Sequence, residues 1–262
     1  MNLKSITKKI LGQKPQYGFF GFFNSWEEAT KASNHGWKTD QVLEKVKNSL
    51  LKIKNGEAAY ERDSVIFDKV QYSWPLLAGL LRVAAENSGE LRVLDFGGSL
   101  GTTYFQNRKF LEGIILQWNI VEQPHYVKTG KKYFESDKLK FHTDFDACLQ
   151  ETNPHVLIVS SVIQYLERPY ESIKKFVNSG VPYVIIDRTS FLETPEDKIA
   201  IQKVKPSIYE ATFPIWFFNY EKFFTAFFGK YQVIAEFPAY LTDHYFVEGI
   251  PGGDRGIILK TI

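Results

Sequence analysis

The chain has 262 residues, 44% of them hydrophobic and 24% charged, with 32 Lys and Arg against 30 Asp and Glu. That length holds one large α/β domain with an appendage, and a formal charge of +2 argues against the clustered basic surface of a dedicated nucleic-acid binder. A single cysteine, Cys148, excludes an internal disulfide and any cysteine-rich zinc or iron–sulfur site.

The opening MNLKSITKKILGQK lacks the unbroken apolar core of a signal peptide. No later run approaches the roughly 20 apolar residues that span a bilayer. The expected location is the cytoplasm. In that opening segment Leu3, Ile6, Ile10 and Leu11 share a helical face, with Lys4, Lys8 and Lys9 elsewhere. A basic amphipathic helix can rest weakly on the anionic inner membrane surface, but this one is short, and a packed or frayed terminal helix is the simpler expectation.

Next comes an aromatic stretch, YGFFGFFNSWEEA, suited either to an acceptor groove or to packing between a cap and a sheet. Val42, Val46, Leu50 and Ile53 then recur at helical spacing, predicting a helix from Asp40 to about Lys54. In AAYERDSVIF, the polar Tyr60, Arg62 and Asp63 fit either a lid over a ligand or a helix start capped by Asp63 or Ser64. An apolar helix is expected over Phe67–Asn87, with Pro75 as its start or a kink. Residues 1–90 thus form an N-terminal, mainly helical cap or lid.

From Leu91 the pattern changes. LRVLDF, LQWNIVE, LKFH, HVLIVSS and PYVIID are short apolar runs, each followed by a segment able to form a helix. Alternating strand and helix implies crossover units and a parallel sheet. Asn219 can cap a helix through YEKFFTAFF with Gly229 as its stop, and its aromatics form a core-facing side. YQVIAEF and RGIILKTI complete the chain as an antiparallel terminal pair. Residues 91–262 are therefore read as one α/β domain.

The strongest motif is VLDFGGSLG, residues 93–101. A strand delivers Asp95 at its carboxyl end, and Gly97, Gly98 and Gly101 allow a tight turn approached closely by a ligand. A helix starting near Thr102 would aim its first amides there. The spacing differs from the Gly-x-Gly-x-x-Gly of dinucleotide enzymes, and the acid before the glycines would repel a pyrophosphate but can receive an amino group. Glu122, ending the next strand about 20 residues on, can accept both hydroxyls of a ribose.

On these residues the chain from 91 to 262 resembles class I S-adenosylmethionine-dependent methyltransferases. The whole chain resembles a bacterial subgroup of them in which an aromatic N-terminal segment precedes the cofactor domain, through GFFNSWEEA, VLDFGGSLGTTYF, SSVIQYL, DRTSF and PSIYEATFPIWFF. The resemblance implies a Rossmann-like seven-stranded sheet, mostly parallel with an antiparallel terminal strand. It also implies S-adenosylmethionine as cofactor, S-adenosylhomocysteine as product and a setting in surface-polysaccharide metabolism. Asp95, Gly97, Gly98, Ser99 and Gly101 would surround the methionine part, Glu122 and Gln123 the ribose, and Asp144 and Phe145 the adenine. Ser160 and Ser161 would flank the sulfonium, with Gln164 and Tyr165 just beyond. Ser99 departs from the pattern, in which glycine is commoner.

Methyl transfer requires alignment and exclusion of water, and a base only if a hydroxyl is the acceptor. His244 is the preferred base because its free pKa lies near neutrality. Asp187 is a second base, and Arg188 can grip a carboxylate or phosphate; a structural Asp187–Arg188 pair is the alternative. Tyr209, Glu210 and Trp216 suit an acceptor wall, and Asp243 lies beside His244. His35, His125, His142 and His155 have less to recommend them. Asp144, Asp146 and Asp187 have no spacing that specifies a metal, so none is expected. The leading expectation is methylation of a small-molecule or glycan hydroxyl or carboxylate. The competitors are a non-catalytic cofactor-binding scaffold and a protein or nucleic-acid methyltransferase; the Ser160-Ser161-Val162-Ile163 stretch lacks the Asn/Asp-Pro-Pro-aromatic turn expected for base amino groups.

Overall fold

A computed structural model describes residues 16–33, 40–242 and 244–262. The amphipathic opening segment, His35 and Asp243 lie outside those residues. In chain order the strands are β1 (Gly18–Phe23), β2 (Tyr60–Arg62), β3 (Val65–Phe67), β4 (Glu90–Phe96), β5 (Ile115–Val121), β6 (Leu139–His142), β7 (Val156–Ser160), β8 (Tyr183–Leu192), β9 (Lys198–Lys203), β10 (Thr212–Phe217), β11 (Tyr231–Pro238), β12 (Tyr245–Val247) and β13 (Ile250–Thr261). The helices are α1 (Trp26–Lys31), α2 (Asp40–Lys54), α3 (Trp74–Glu86), α4 (Thr102–Asn107), α5 (Pro124–Tyr133), α6 (Phe145–Thr152), α7 (Pro169–Asn178) and α8 (Tyr220–Thr225), with a 3₁₀ turn at Ile163–Tyr165.

The five apolar runs expected from Leu91 onward are strands β4 to β8. They pair in parallel in the order β8-β7-β4-β5-β6. Val156–Val159 on β7 are buried on both faces, which is why the run is continuous rather than alternating. The last strand, β13, inserts antiparallel between β8 and β11. Strand order and insertion are those of the seven-stranded, Rossmann-like sheet, and β12 adds a short antiparallel arm on β13. Asn219 caps α8 by accepting from the Lys222 amide, and Gly229 follows at φ +80°. Two apolar clusters sandwich the sheet. One joins α2 and α3 to it through Leu50, Leu80 and Trp118; the other packs Phe176, Phe218 and Phe223 on the opposite side.

The region before residue 90 departs from expectation in two places. The aromatic stretch is strand β1, which pairs antiparallel with β9, and β9 pairs with β10. Residues 18–23 thus join an insertion between β8 and β11 in a separate three-stranded sheet. Here Phe19 packs edge-on against Phe217 and Tyr245. The second departure is AAYERDSVIF, which is no helix start. It forms a β2–β3 hairpin whose turn residues, Asp63 and Ser64, have φ of +51° and +64°, the two-residue turn that matches strand twist. Helix α3 accordingly begins at Trp74, not Phe67, with Pro75 in its first turn, where a missing N–H is harmless.

Candidate functional site

A cleft of about 470 Å³ runs over the carboxyl ends of the parallel strands. From β4 the chain proceeds to β5 and β6 on one side, and later to β7 and β8 on the other. The carboxyl ends at such a reversal are where open α/β sheets bind ligands.

The β4/β5 half of the cleft holds the glycine turn. Asp95, next to last in β4, has 1% of its surface exposed and accepts from Trp118 Nε1 of β5 at 3.0 Å. Burial raises its pKa to about 7, opposed by that hydrogen bond. The turn lies flat over the carboxyl group: a Cβ on Gly98 would stand 2.5 Å from Asp95 Oδ2, and one on Gly97 2.4 Å from Val162 Cγ2. Neither position has room for a side chain. Ser99 adopts φ +54°, the left-handed conformation that favours glycine, at the position where glycine is the commoner residue. Glu122, immediately after β5, accepts from the Gln123 amide at 2.6 Å. Its pKa is raised by burial, opposed by the Gln123 and Ser99 amides. Asp95, Gly97, Gly98, Ser99, Glu122 and Gln123 all line the cleft. Gly101, at φ +107°, is buried below them and starts α4.

At the centre, Ser160 ends β7 and Ser161 follows at φ +56°; both line the cleft with Tyr165. Tyr165 donates to Gln202 Oε1 at 2.7 Å. Gln164, 2% exposed, donates through Nε2 to the Arg188 carbonyl at 2.9 Å. A carbonyl only accepts, so this contact fixes the amide orientation and leaves Oε1 buried with no partner among the described residues.

The β8/β13 half is polar. Arg188 lines it with its backbone at φ +51°, and its Nε donates to Ser160 Oγ at 3.4 Å. Burial works against the guanidinium charge, but Tyr240, Asp187, Asp63 and Tyr60 around it outweigh burial and hold the proton more firmly than usual. Asp254 of β13 faces Ser190 of β8 in register. Its carboxylate accepts from Ser190 Oγ at 2.8 Å, from the Tyr245 hydroxyl at 3.1 Å and from Thr242 Oγ1. Burial raises its pKa despite those donors. Tyr209, expected in an acceptor wall, lines the cleft as well.

The β2–β3 hairpin contributes Glu61, Arg62 and Asp63 to the cleft lining. Arg62 donates to Gln71 Oε1 at 2.6 Å. Tyr60 turns away, within 3.2 Å of the Tyr240 hydroxyl.

Several expected residues stand elsewhere. Asp187 is buried outside the lining; its Oδ1 accepts from the Arg188 amide at 2.9 Å, and Ser73 hydrogen-bonds to it as well, so it is not placed to take a substrate proton. His244 is exposed and outside the lining of the cleft. Asp144 is the N-cap of α6, accepting from the Ala147 amide at 2.7 Å. The Phe145 ring lies in the core against Phe96 and Phe176. Neither lines the cleft. Glu210 borders a shallow groove on the three-stranded sheet. Trp216 donates to the Leu166 carbonyl at 3.0 Å and stacks on Trp26. His142 contacts Asn119 and His155 the Arg92 amide; both pKa values are lowered by burial. The sequence reading did not single out Glu61, Ser190, Gln202, Thr242 or Asp254, although Glu61 lies in AAYERDSVIF and Ser190 in DRTSF.

No family model matches the sequence, and no curated protein matches it. The fold does resemble solved structures. The N-terminal domain of EvdMO1, crystallised in the presence of SAH and D-fucose, is 11% identical, with a TM-score of 0.46 over 86% of this chain and 98% of its own. An S-adenosylmethionine-dependent methyltransferase from Clostridium acetobutylicum is 10% identical, with a TM-score of 0.47 over 72% of this chain and 92% of its own. The glycopeptide N-methyltransferase MtfA, complexed with sinefungin, is 13% identical, with a TM-score of 0.46 over 69% and 91%. Likeness at this level carries nothing about the ligand or the reaction, which rest on the cleft itself.

Proposed function

We propose that the chain is an S-adenosylmethionine-dependent methyltransferase, holding the cofactor in the β4/β5 half of the cleft and the acceptor in the β8/β13 half. One observation carries this reading. Asp95, the glycine turn and Glu122 meet on neighbouring strands at the reversal point of the sheet and line one cleft. The turn lets a ligand approach backbone rather than side chains, and Glu122 has carboxylate oxygens for two ribose hydroxyls, with Gln123 beside it. Ser160 and Ser161, at the middle of the cleft, stand where a sulfonium would meet the acceptor, with Tyr165 beyond them. Asp144, exposed just after β6, caps α6 through Oδ1 alone, which leaves Oδ2 to accept from the adenine amine; Phe145, its ring in the core, is left out of this assignment.

When bound, the cofactor supplies a methyl group already activated by positive sulfur. The protein then has to align the acceptor and exclude water. Arg188 offers a fork for an anionic or hydroxylated acceptor. A hydroxyl acceptor requires a base; on this side of the cleft that group is Asp254, whose orientation is fixed by three hydroxyl donors. A carboxylate acceptor requires none. The acceptor class in this proposal is a small molecule or glycan of surface-polysaccharide metabolism, supported by the polar, hydroxyl-rich wall of Ser190, Thr242, Gln202 and Asp254.

Calorimetric titration with S-adenosylhomocysteine tests the reading. Saturable binding by the wild type, lost in Glu122→Ala, is the expected result. A folded wild type that binds none would overturn it.

A further inference from the structure

Glu61 is a buried carboxylate with no established task. Only 1% of its surface is exposed, yet it lines the cleft. Thr102 Oγ1, at the end of the glycine turn, donates to Oε1, and the Ser64 amide donates to Oε2 at 3.2 Å. A carboxylate offers about four acceptor sites, so this pair leaves capacity unused. Among the described residues no Lys, Arg or His forms an ion pair with it. Arg188 acts on it only as a weaker, distant influence. A buried charge without a counter-charge is costly, and burial raises the Glu61 pKa to about 7, against the Thr102 hydrogen bond. A cation brought by a ligand would supply what the protein lacks.

The position selects which cation. Thr102 ties Glu61 to the β4/β5 half, beside the turn that follows Asp95. Asp95 is the obvious competitor; its Oδ2 accepts from Trp118 and lies against Gly98, and Asp95→Asn measured beside Glu61→Gln decides between the two. Glu122, beside the amides of Ser99 and Gln123, is already assigned to the ribose. Glu61 is moreover held in place from two directions. Ser49 Oγ donates to the Ser64 carbonyl at 2.7 Å, anchoring the hairpin turn to α2. Gln106 Nε2 of α4 donates to the Tyr60 hydroxyl at 3.3 Å, anchoring the preceding residue.

We propose that Glu61 of the β2–β3 hairpin is the carboxylate that receives the ammonium of the cofactor's amino-acid tail. The N-terminal region then completes the cofactor site rather than merely covering it. This inference rests on the cofactor reading above, and its test separates the two. S-adenosylhomocysteine carries the tail; 5′-methylthioadenosine shares the nucleoside and thioether but lacks the tail. Calorimetry of both ligands on wild type and Glu61→Gln gives four affinities. Glu61→Gln keeps an oxygen for Thr102 and removes the charge. The expected result is a loss of about 10- to 100-fold for S-adenosylhomocysteine, the worth of one charge-assisted contact, with the affinity for 5′-methylthioadenosine unchanged. Retained binding of the second ligand also shows that the variant folds. Equal losses for both ligands, or no loss for either, would overturn the assignment while leaving the cofactor site standing. Failure of both ligands to bind the wild type would contradict the cofactor reading itself, and this inference with it.

Discussion

Replacing Gly97 by Ala tests the glycine turn at its tightest point. The new Cβ would lie 2.4 Å from Val162 Cγ2 and 3.0 Å from Val162 Cβ, on a backbone at φ +71°. A left-handed conformation costs an L residue about 1–2 kcal/mol, and overpacking a filled site costs about 1–3 kcal/mol. Lower entropy of the unfolded chain returns about 0.4–1 kcal/mol. The net expectation is a destabilisation of about 3 kcal/mol, or a fall in Tm of roughly 6–12 °C for a domain of this size. Val162→Ala removes both γ-carbons and so relieves the closer contact, while the Cβ contact remains. Combined with Gly97→Ala, it should therefore recover about 1–2 kcal/mol relative to the sum of the two single changes. Scanning calorimetry of the four proteins yields that coupling directly. Strictly additive costs, or a Gly97→Ala chain as stable as wild type, would refute the packing of the turn against the loop after β7.

Other expectations follow from the same geometry. Burial raises Asp95 from 3.8 and Glu61 from 4.5, each to about 7. As pH rises between those limits, the unfolded chain releases protons that the native chain keeps, so ligand-free stability falls across that window and levels above it. Asp95→Asn and Glu61→Gln should each flatten the Tm-versus-pH curve between about pH 4 and 7; curves parallel to wild type would contradict the burial of these groups. Trp118→Phe leaves Asp95 without its side-chain donor, and denaturant unfolding should show a loss of about 1–3 kcal/mol. His244→Ala should change stability by no more than about 0.5 kcal/mol and leave S-adenosylhomocysteine affinity intact. A marked loss of that affinity would bring His244 back to the cleft.

Much of the sheet was legible because its strands are continuous apolar runs ended by chemistry-bearing residues. Asp95, Glu122, Ser160 and Arg188 each follow directly from where a run stops. The same rule misled at Asp187. At Arg188 the strand bulges against β13, with a left-handed backbone; Arg188 and Ser190 line the cleft, while Asp187 is buried beneath and accepts from the Arg188 amide. Asp144 carried a second signal: an Asp immediately before a helical run is an N-cap, and that cap forms through Oδ1. Strand β1 was hidden because its aromatics show no polar alternation and its partner, β9, lies about 180 residues further along the chain. The β2–β3 hairpin was hidden because its strands have three residues each and its turn is Asp-Ser instead of a glycine pair. Glu61 and Asp254 are ordinary acids in sequence; their burial and neighbours arise only from tertiary packing.

The central claim, that the β4/β5 half of the cleft holds the cofactor, is tested most directly by a crystal structure of the protein grown with S-adenosylhomocysteine. The account predicts the nucleoside over the glycine turn, with its ribose hydroxyls on Glu122. A ligand bound elsewhere, or a ribose that never meets Glu122, would contradict it.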